Sequence, residues 1–126
     1  MKVLVRTESR VYALLRIVGG FLFLCHGAQK IFGVLGGSQA QLISLMGLAG
    51  IIELVGGLLI MLGLFASYAA FVCSGQMAVA YLMAHARQGF WPIENKGELA
   101  ALYAFLFLYI AAKGSGIWSI DALRRK

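Results

Sequence analysis

The sequence predicts an all-α fold, a bundle of four transmembrane helices with both termini cytoplasmic, and three observations carry that expectation. Of the 126 residues, 61% are hydrophobic and only 13% are charged. Four apolar runs, Val11 to Phe32, Ile43 to Phe65, Tyr68 to Ala86 and Glu98 to Lys113, lie near the ~20 residues that a helix needs to cross a ~30 Å hydrocarbon core, the fourth being slightly short. The single proline, Pro92, falls between the third and fourth runs, which leaves four helices uninterrupted by one. A membrane β-barrel is excluded, because its strands are ~10 residues of alternating pattern whereas these runs are apolar all round. One domain over residues 1–126 is expected.

In the first run, Lys2, Arg6 and Arg10 precede the apolar stretch as they would in a signal peptide. The stretch is too long for one and lacks a small-residue cleavage site, so it is read as a span. Leu24 before Cys25 likewise argues against a lipoprotein cysteine. Projected at 100° per residue, Arg16, Gly19, Phe23, His26 and Lys30 fall within an arc of roughly 80°. In the second run, Gly47, Gly50, Glu53, Leu54, Gly57 and Met61 share a stripe of roughly 120°. Small residues let membrane helices approach closely, so these stripes are expected to meet, with Glu53 facing His26 or Lys30. A structural ion pair and a functional one both remain open.

A tight turn is expected at Ala66 and Ser67. In the third run Gln76 lies on a small-residue face with Ala69, Cys73, Ala80 and Ala84, and reads first as an interhelical hydrogen-bond donor and second as a cofactor contact. His85 stands near the run's outer end. The fourth run opens with Glu98 at a helix N-terminus, where the dipole favours a carboxylate, and shares a face with Leu102, Phe105 and Tyr109.

Orientation follows from the basic residues. The side with both termini collects Lys2, Arg6, Arg10, Lys113, Arg124, Arg125 and Lys126, against Lys30, Arg87 and Lys96 on the other, and the basic side is normally cytoplasmic. The net charge of +6 then reflects topology and anionic headgroups, and no nucleic-acid partner is expected. Cys25 and Cys73 lack CxxC spacing and sit about 12 Å apart in depth, so they read as two inert thiols.

Arg16, His26, Lys30, Glu53 and Glu98 remain as ionisable groups in or at the ends of apolar runs, each costing ~2.5 kcal/mol or more in hydrocarbon unless paired or used. His26 and Lys30 are one turn apart and could hydrogen-bond an anion or a quinone carbonyl; the alternative is a lysine that snorkels to the headgroups. Metal is not expected, because the Glu-x-x-His pairs of di-metal bundles are absent, and a haem would need His26 and His85 to face each other.

The segments Arg16-Ile-Val-Gly-Gly-Phe-Leu-Phe-Leu-Cys-His-Gly-Ala-Gln-Lys30-Ile-Phe-Gly33, Gly50-Ile-Ile-Glu53-Leu-Val-Gly-Gly57, Gly97-Glu98-Leu-Ala and Gly114-Ser-Gly-Ile-Trp-Ser-Ile-Asp121 resemble the DoxX family of small four-helix membrane proteins. The resemblance puts Arg16, His26, Gly27, Lys30, Glu53, Glu98 and Asp121 at the family's polar motif positions and assigns none of them a catalytic role. It implies a bacterial or archaeal cell membrane location and a subunit of a quinone-linked oxidoreductase system, with redox enzyme subunits as partners. Arg16 and Asp121 are expected to form a structural ion pair. His26, Lys30, Glu53 and Glu98 are the candidate reacting groups. A quinone pocket would add Phe23, Gln76, His85, Phe105 and Tyr109 to these. With no evident flavin, haem or iron–sulfur motif, electrons would come from a partner. The alternatives are a scaffold or lipid-binding module that recruits proteins, and a small proton-coupled transporter, which would call for a homo-oligomer.

Overall fold

The computed structural model describes residues 1–125. Its helices are α1 (Lys2–Arg6), α2 (Glu8–Phe32), α3 (Leu45–Leu62), α4 (Ala66–Ala80), α5 (Pro92–Asn95), α6 (Glu98–Lys113) and α7 (Ile120–Arg124), with no strand among the described residues. Three helical stretches, Glu8–Phe32, Leu45–Leu62 and Ala66–Gln88, are long and apolar enough to cross a membrane. The 16 residues of α6 span about 24 Å at 1.5 Å per residue. Large apolar side chains such as Phe21, Phe71, Leu102 and Phe105 are exposed on several sides of the bundle, a surface suited to hydrocarbon rather than water.

Two boundaries differ from expectation. The turn between α3 and α4 lies at Gly63 to Phe65, not at Ala66 and Ser67, because Gly63 takes a left-handed conformation (φ 68°) that closes α3. The third run is not one regular helix: α4 passes into a π-helical turn at Tyr81–His85 and a 3-10 turn at Ala86–Gln88.

The bundle is built from two closely packed pairs, α2 with α3 and α4 with α6. Glycine sets the first. A Cβ on Gly20 would stand 2.5 Å from the Met61 nitrogen, and one on Gly57 would stand 2.6 Å from the Leu24 nitrogen. Gly27 presses against the Leu54 backbone in the same way. Backbone therefore touches backbone along this seam, as expected where small residues replace the hydrophobic drive that lipid removes. The second pair buries Ala100, Tyr103, Ala104, Phe107 and Ile110 of α6, and the Ser74 hydroxyl of α4 donates to the Ala104 carbonyl at 2.6 Å. Fully buried Phe23 joins the pairs, its ring 4.7 Å from Phe107 and 5.2 Å from Tyr103.

At the end that carries both termini, the expected Arg16–Asp121 ion pair does not form. Arg16 is fully buried and its guanidinium donates to four backbone carbonyls, Ile60 (3.1 Å) and Met61 (3.2 Å) at the end of α3, Ile117 (3.3 Å) and Trp118 (2.8 Å) beyond α6. The last carbonyls of a helix lack partners and carry its negative dipole end, so they compete for the cation successfully. Asp121 instead accepts from the Ser115 hydroxyl at 2.5 Å and faces the backbone N–H groups of Phe65 and Ala66, where α4 begins. The cation thus holds the end of α3 and the anion the start of α4. The Ser115 hydroxyl, with smaller help from the Phe65 and Ala66 N–H groups, holds the Asp121 carboxyl below its ordinary value against the opposing effect of burial.

Three outcomes follow from this packing. Gly27→Ala must push the α2 and α3 backbones apart and is expected to cost ~1–3 kcal/mol in an SDS unfolding titration in mixed micelles, whereas Gly75→Ala, whose Cβ meets open space, should be silent. Arg16→Lys keeps the charge but cannot fork across two carbonyl pairs, so about 2 kcal/mol or more should be lost in the same titration. The Asp121 contribution should be full above its ordinary value of 3.8 and disappear as pH falls through the lower value of the folded chain. Thermal melts against pH should show that loss in the parent chain and not in the less stable Asp121→Asn variant.

Candidate functional site

At the opposite end of the bundle, the glycine seam decides which basic residue meets Glu53. Gly50 and Glu53 are three residues apart on the same face of α3. Because Gly50 has no side chain, the Lys30 stem lies against it, where a Cβ would stand 2.9 Å from the Lys30 Cβ. The stem then runs along α3 and Lys30 Nζ donates to both carboxylate oxygens of Glu53, at 2.7 Å to Oε1 and 2.5 Å to Oε2. The Glu53 side chain is 3% exposed and that of Lys30 is 22% exposed. Of the two partners expected for Glu53, Lys30 is the one it meets.

The pair forms one wall of a cleft of about 340 Å³ to which all four long helices contribute. Phe23, His26 and Lys30 enter from α2 and Glu53 from α3, Gln76 and His85 come from the α4 segment, and Tyr103 comes from α6. The Tyr103 and Phe107 rings stack with centroids 5.3 Å apart, and His26 meets the Tyr103 ring edge-on at 6.1 Å. His85 lies in the π-helical turn, and its Nδ1–H donates to the Asn95 carbonyl at 3.1 Å. Asn95 is fully buried; it donates to the Tyr81 hydroxyl and the Gly89 carbonyl and accepts from the Gly97 N–H at 2.8 Å, so the loop above the cleft is tied down.

Several expected residues lie elsewhere. Glu98, Phe105 and Tyr109 do not line the cleft. Glu98 is exposed in the first turn of α6, Phe105 is 72% exposed, and Tyr109 packs edge-on against Tyr12 at the terminal end of the bundle. The physical reason is that α6 turns inward the face with the small residues Ala100 and Ala104, which admits α4, and leaves its other apolar face to lipid at no cost. Gln76 makes no interhelical hydrogen bond, and its amide oxygen is buried without a partner. Tyr103, Asn95 and Lys96 escaped the sequence reading. Tyr103 was detectable as the aromatic four residues before Phe107 on the Ala100–Ala104 face, while Asn95 and Lys96 follow Pro92 in a loop whose path no periodicity reports.

Chemically the cleft combines donors in Lys30, His26 and Tyr103, an unpaired acceptor in Gln76, and the aromatic rings of Tyr103 and Phe23, tilted 57° to each other. Because Lys30 and Glu53 neutralise each other, its interior is polar without a net charge from this pair. Lys96, exposed in the same lining, adds one further cation, and the donors and acceptor together suit a planar head with oxygen atoms at its edges.

The DoxX family model matches residues 11–86, more than half of the chain, and takes in Arg16, His26, Lys30 and Glu53 but ends before Glu98 and Asp121. A relative from Haemophilus influenzae, described as "Uncharacterized protein", is 44% identical over 116 residues, covering 86% of this chain and 87% of its own. No solved structure matches. A family match that holds the polar positions of α2 and α3, joined to a relative of nearly equal extent, leads to one conclusion: the chain belongs to the DoxX family.

Proposed function

We propose that this protein is the membrane subunit of a quinone-linked redox system, that it spans the cell membrane four times with α6 as the fourth span and both termini cytoplasmic, and that the cleft holds a quinone head. The observation that carries this reading is the convergence of His26, Lys30, Gln76 and Tyr103 on one cavity beside the Lys30–Glu53 pair. Tyr103 stacks on the quinone ring with Phe23 packed beside it, and Lys30 or His26 donates to one of its oxygens. Reduction of a quinone to a quinol takes two electrons and two protons. The electrons come from a partner redox subunit, and the protons pass through His26 and the Lys30–Glu53 pair, which hold exchangeable protons next to the ring oxygens.

One observation favours a second reading, a scaffold that recruits partner proteins. Lys30 and Glu53 already satisfy each other, as a purely structural brace would require. His26 separates the two, because it touches the cleft and takes no part in the pair. His26→Ala should weaken quinone binding about tenfold or more in nanodiscs, measured by quenching of intrinsic fluorescence, with an unfolding midpoint close to the parent's. A cleft that binds no quinone in the parent chain, or binds it equally in the variant, leaves the scaffold reading standing.

A further inference from the structure

The cleft has a side door. A second cavity of about 430 Å³ runs along the outside of the bundle between α3 and α4, and Met46, Ala49, Gln76, Ala80 and Ala84 line both spaces. Apart from Gln76, the outer groove is apolar, walled by Phe71, Val72, Val79 and Met83, and it faces the hydrocarbon layer in the membrane reading of the fold. This seam is more sparsely packed than α2 against α3 or α4 against α6. Small side chains keep it open: a Cβ on Gly75 would meet nothing within 4 Å.

Gln76 stands where the two spaces join, and its amide oxygen is buried with no hydrogen-bond partner. A buried acceptor of this kind calls for a donor that the chain itself does not supply. Lys30 offers little compensation to an anionic head, since it is bonded to both oxygens of Glu53, and Lys96, the other lysine of the lining, is exposed.

We infer that the ligand of the cleft carries a single long apolar chain, that this chain lies in the α3–α4 groove, and that the molecule enters and leaves sideways from the lipid, its reduced quinol form donating a hydroxyl to Gln76. This rests on the reading of the cleft as a head site and adds to it the ligand class: a prenyl-chain quinone or quinol with a neutral head. A phospholipid is the competing occupant, because exposed Lys96 in the lining is a cation its phosphate could meet.

The test separates chain from head. Gly75 lines the groove and not the cleft, so Gly75→Phe blocks the door without touching the head contacts, and Gly75→Leu serves where Phe disturbs folding. The probes are ubiquinone-2 and its tail-free head, 2,3-dimethoxy-5-methyl-1,4-benzoquinone, titrated into the full chain in nanodiscs. The parent chain should prefer the tailed probe by roughly tenfold, and Gly75→Phe should erase that preference while leaving the tail-free affinity within about twofold. If the tail-free probe binds but the tailed probe is indifferent to Gly75→Phe, or if both probes weaken together, the side door is overturned and the head site survives. If neither probe binds the parent chain, the head site itself fails. A phospholipid that co-purifies with the parent and is lost in Gly75→Phe, with no quinone bound, assigns the groove to lipid and overturns the proposal as well.

Discussion

The backbone contact between α2 and α3 governs the rest of this molecule. Lipid gives helices no hydrophobic reason to associate, so their separation is set by how closely two backbones can come and by what polar groups do once they are there. Gly20, Gly27 and Gly57 bring the two axes to backbone contact, and that distance has consequences at both ends. At one end it delivers the Arg16 guanidinium to the last carbonyls of α3. At the other it lays the Lys30 stem over Gly50 and so delivers its ammonium to Glu53. A separation larger by the width of one methyl group would weaken both.

The costly groups are then distributed by the needs of helix ends rather than by attraction between opposite charges. Arg16 and Asp121 sit near the same turn, yet each takes the helix terminus whose dipole suits it, the cation at the end of α3 and the anion at the start of α4. Gly63 is where the two meet: its left-handed φ ends α3, its carbonyl accepts from the Asp121 N–H at 3.0 Å, and a Cβ there would clash with both Arg16 and Ser119. The α3–α4 turn is therefore clamped from two sides, while at the far end α3 and α4 diverge around the cleft.

What the sequence disclosed follows from which forces leave a periodic trace. Apolar runs and glycine stripes do, and the helices and the α2–α3 seam were legible from them; the fourth run matches α6, Glu98–Lys113. Facing was legible on α2 and α3, where small and charged residues share one side, and illegible on α6, which is apolar all round. There the charge of Glu98 pointed to the wrong face and Ala100 and Ala104 to the right one. The Arg16 site is illegible in the sequence because side chains are written there and the backbone carbonyls that receive the guanidinium are not. The π-helical turn that carries His85 likewise follows from no residue type in Tyr81–His85. Depth along the spans, which residue number supplies at 1.5 Å per step, puts Glu98 level with His26 and Lys30, but it does not say which way a side chain faces, and Glu98 lies outside the cleft.

The Lys30–Glu53 pair can be weighed against what packing alone would select. A buried ion pair loses much of its Coulombic gain to desolvation, and well-packed apolar residues of similar volume commonly hold a protein as well or better. The glycine contacts already fix α2 against α3 without it. Were the pair only a brace, its natural place would be inside that dry seam. It lies instead where the seam opens, with Lys30 partly accessible, beside a stacked aromatic wall and an acceptor with no partner of its own.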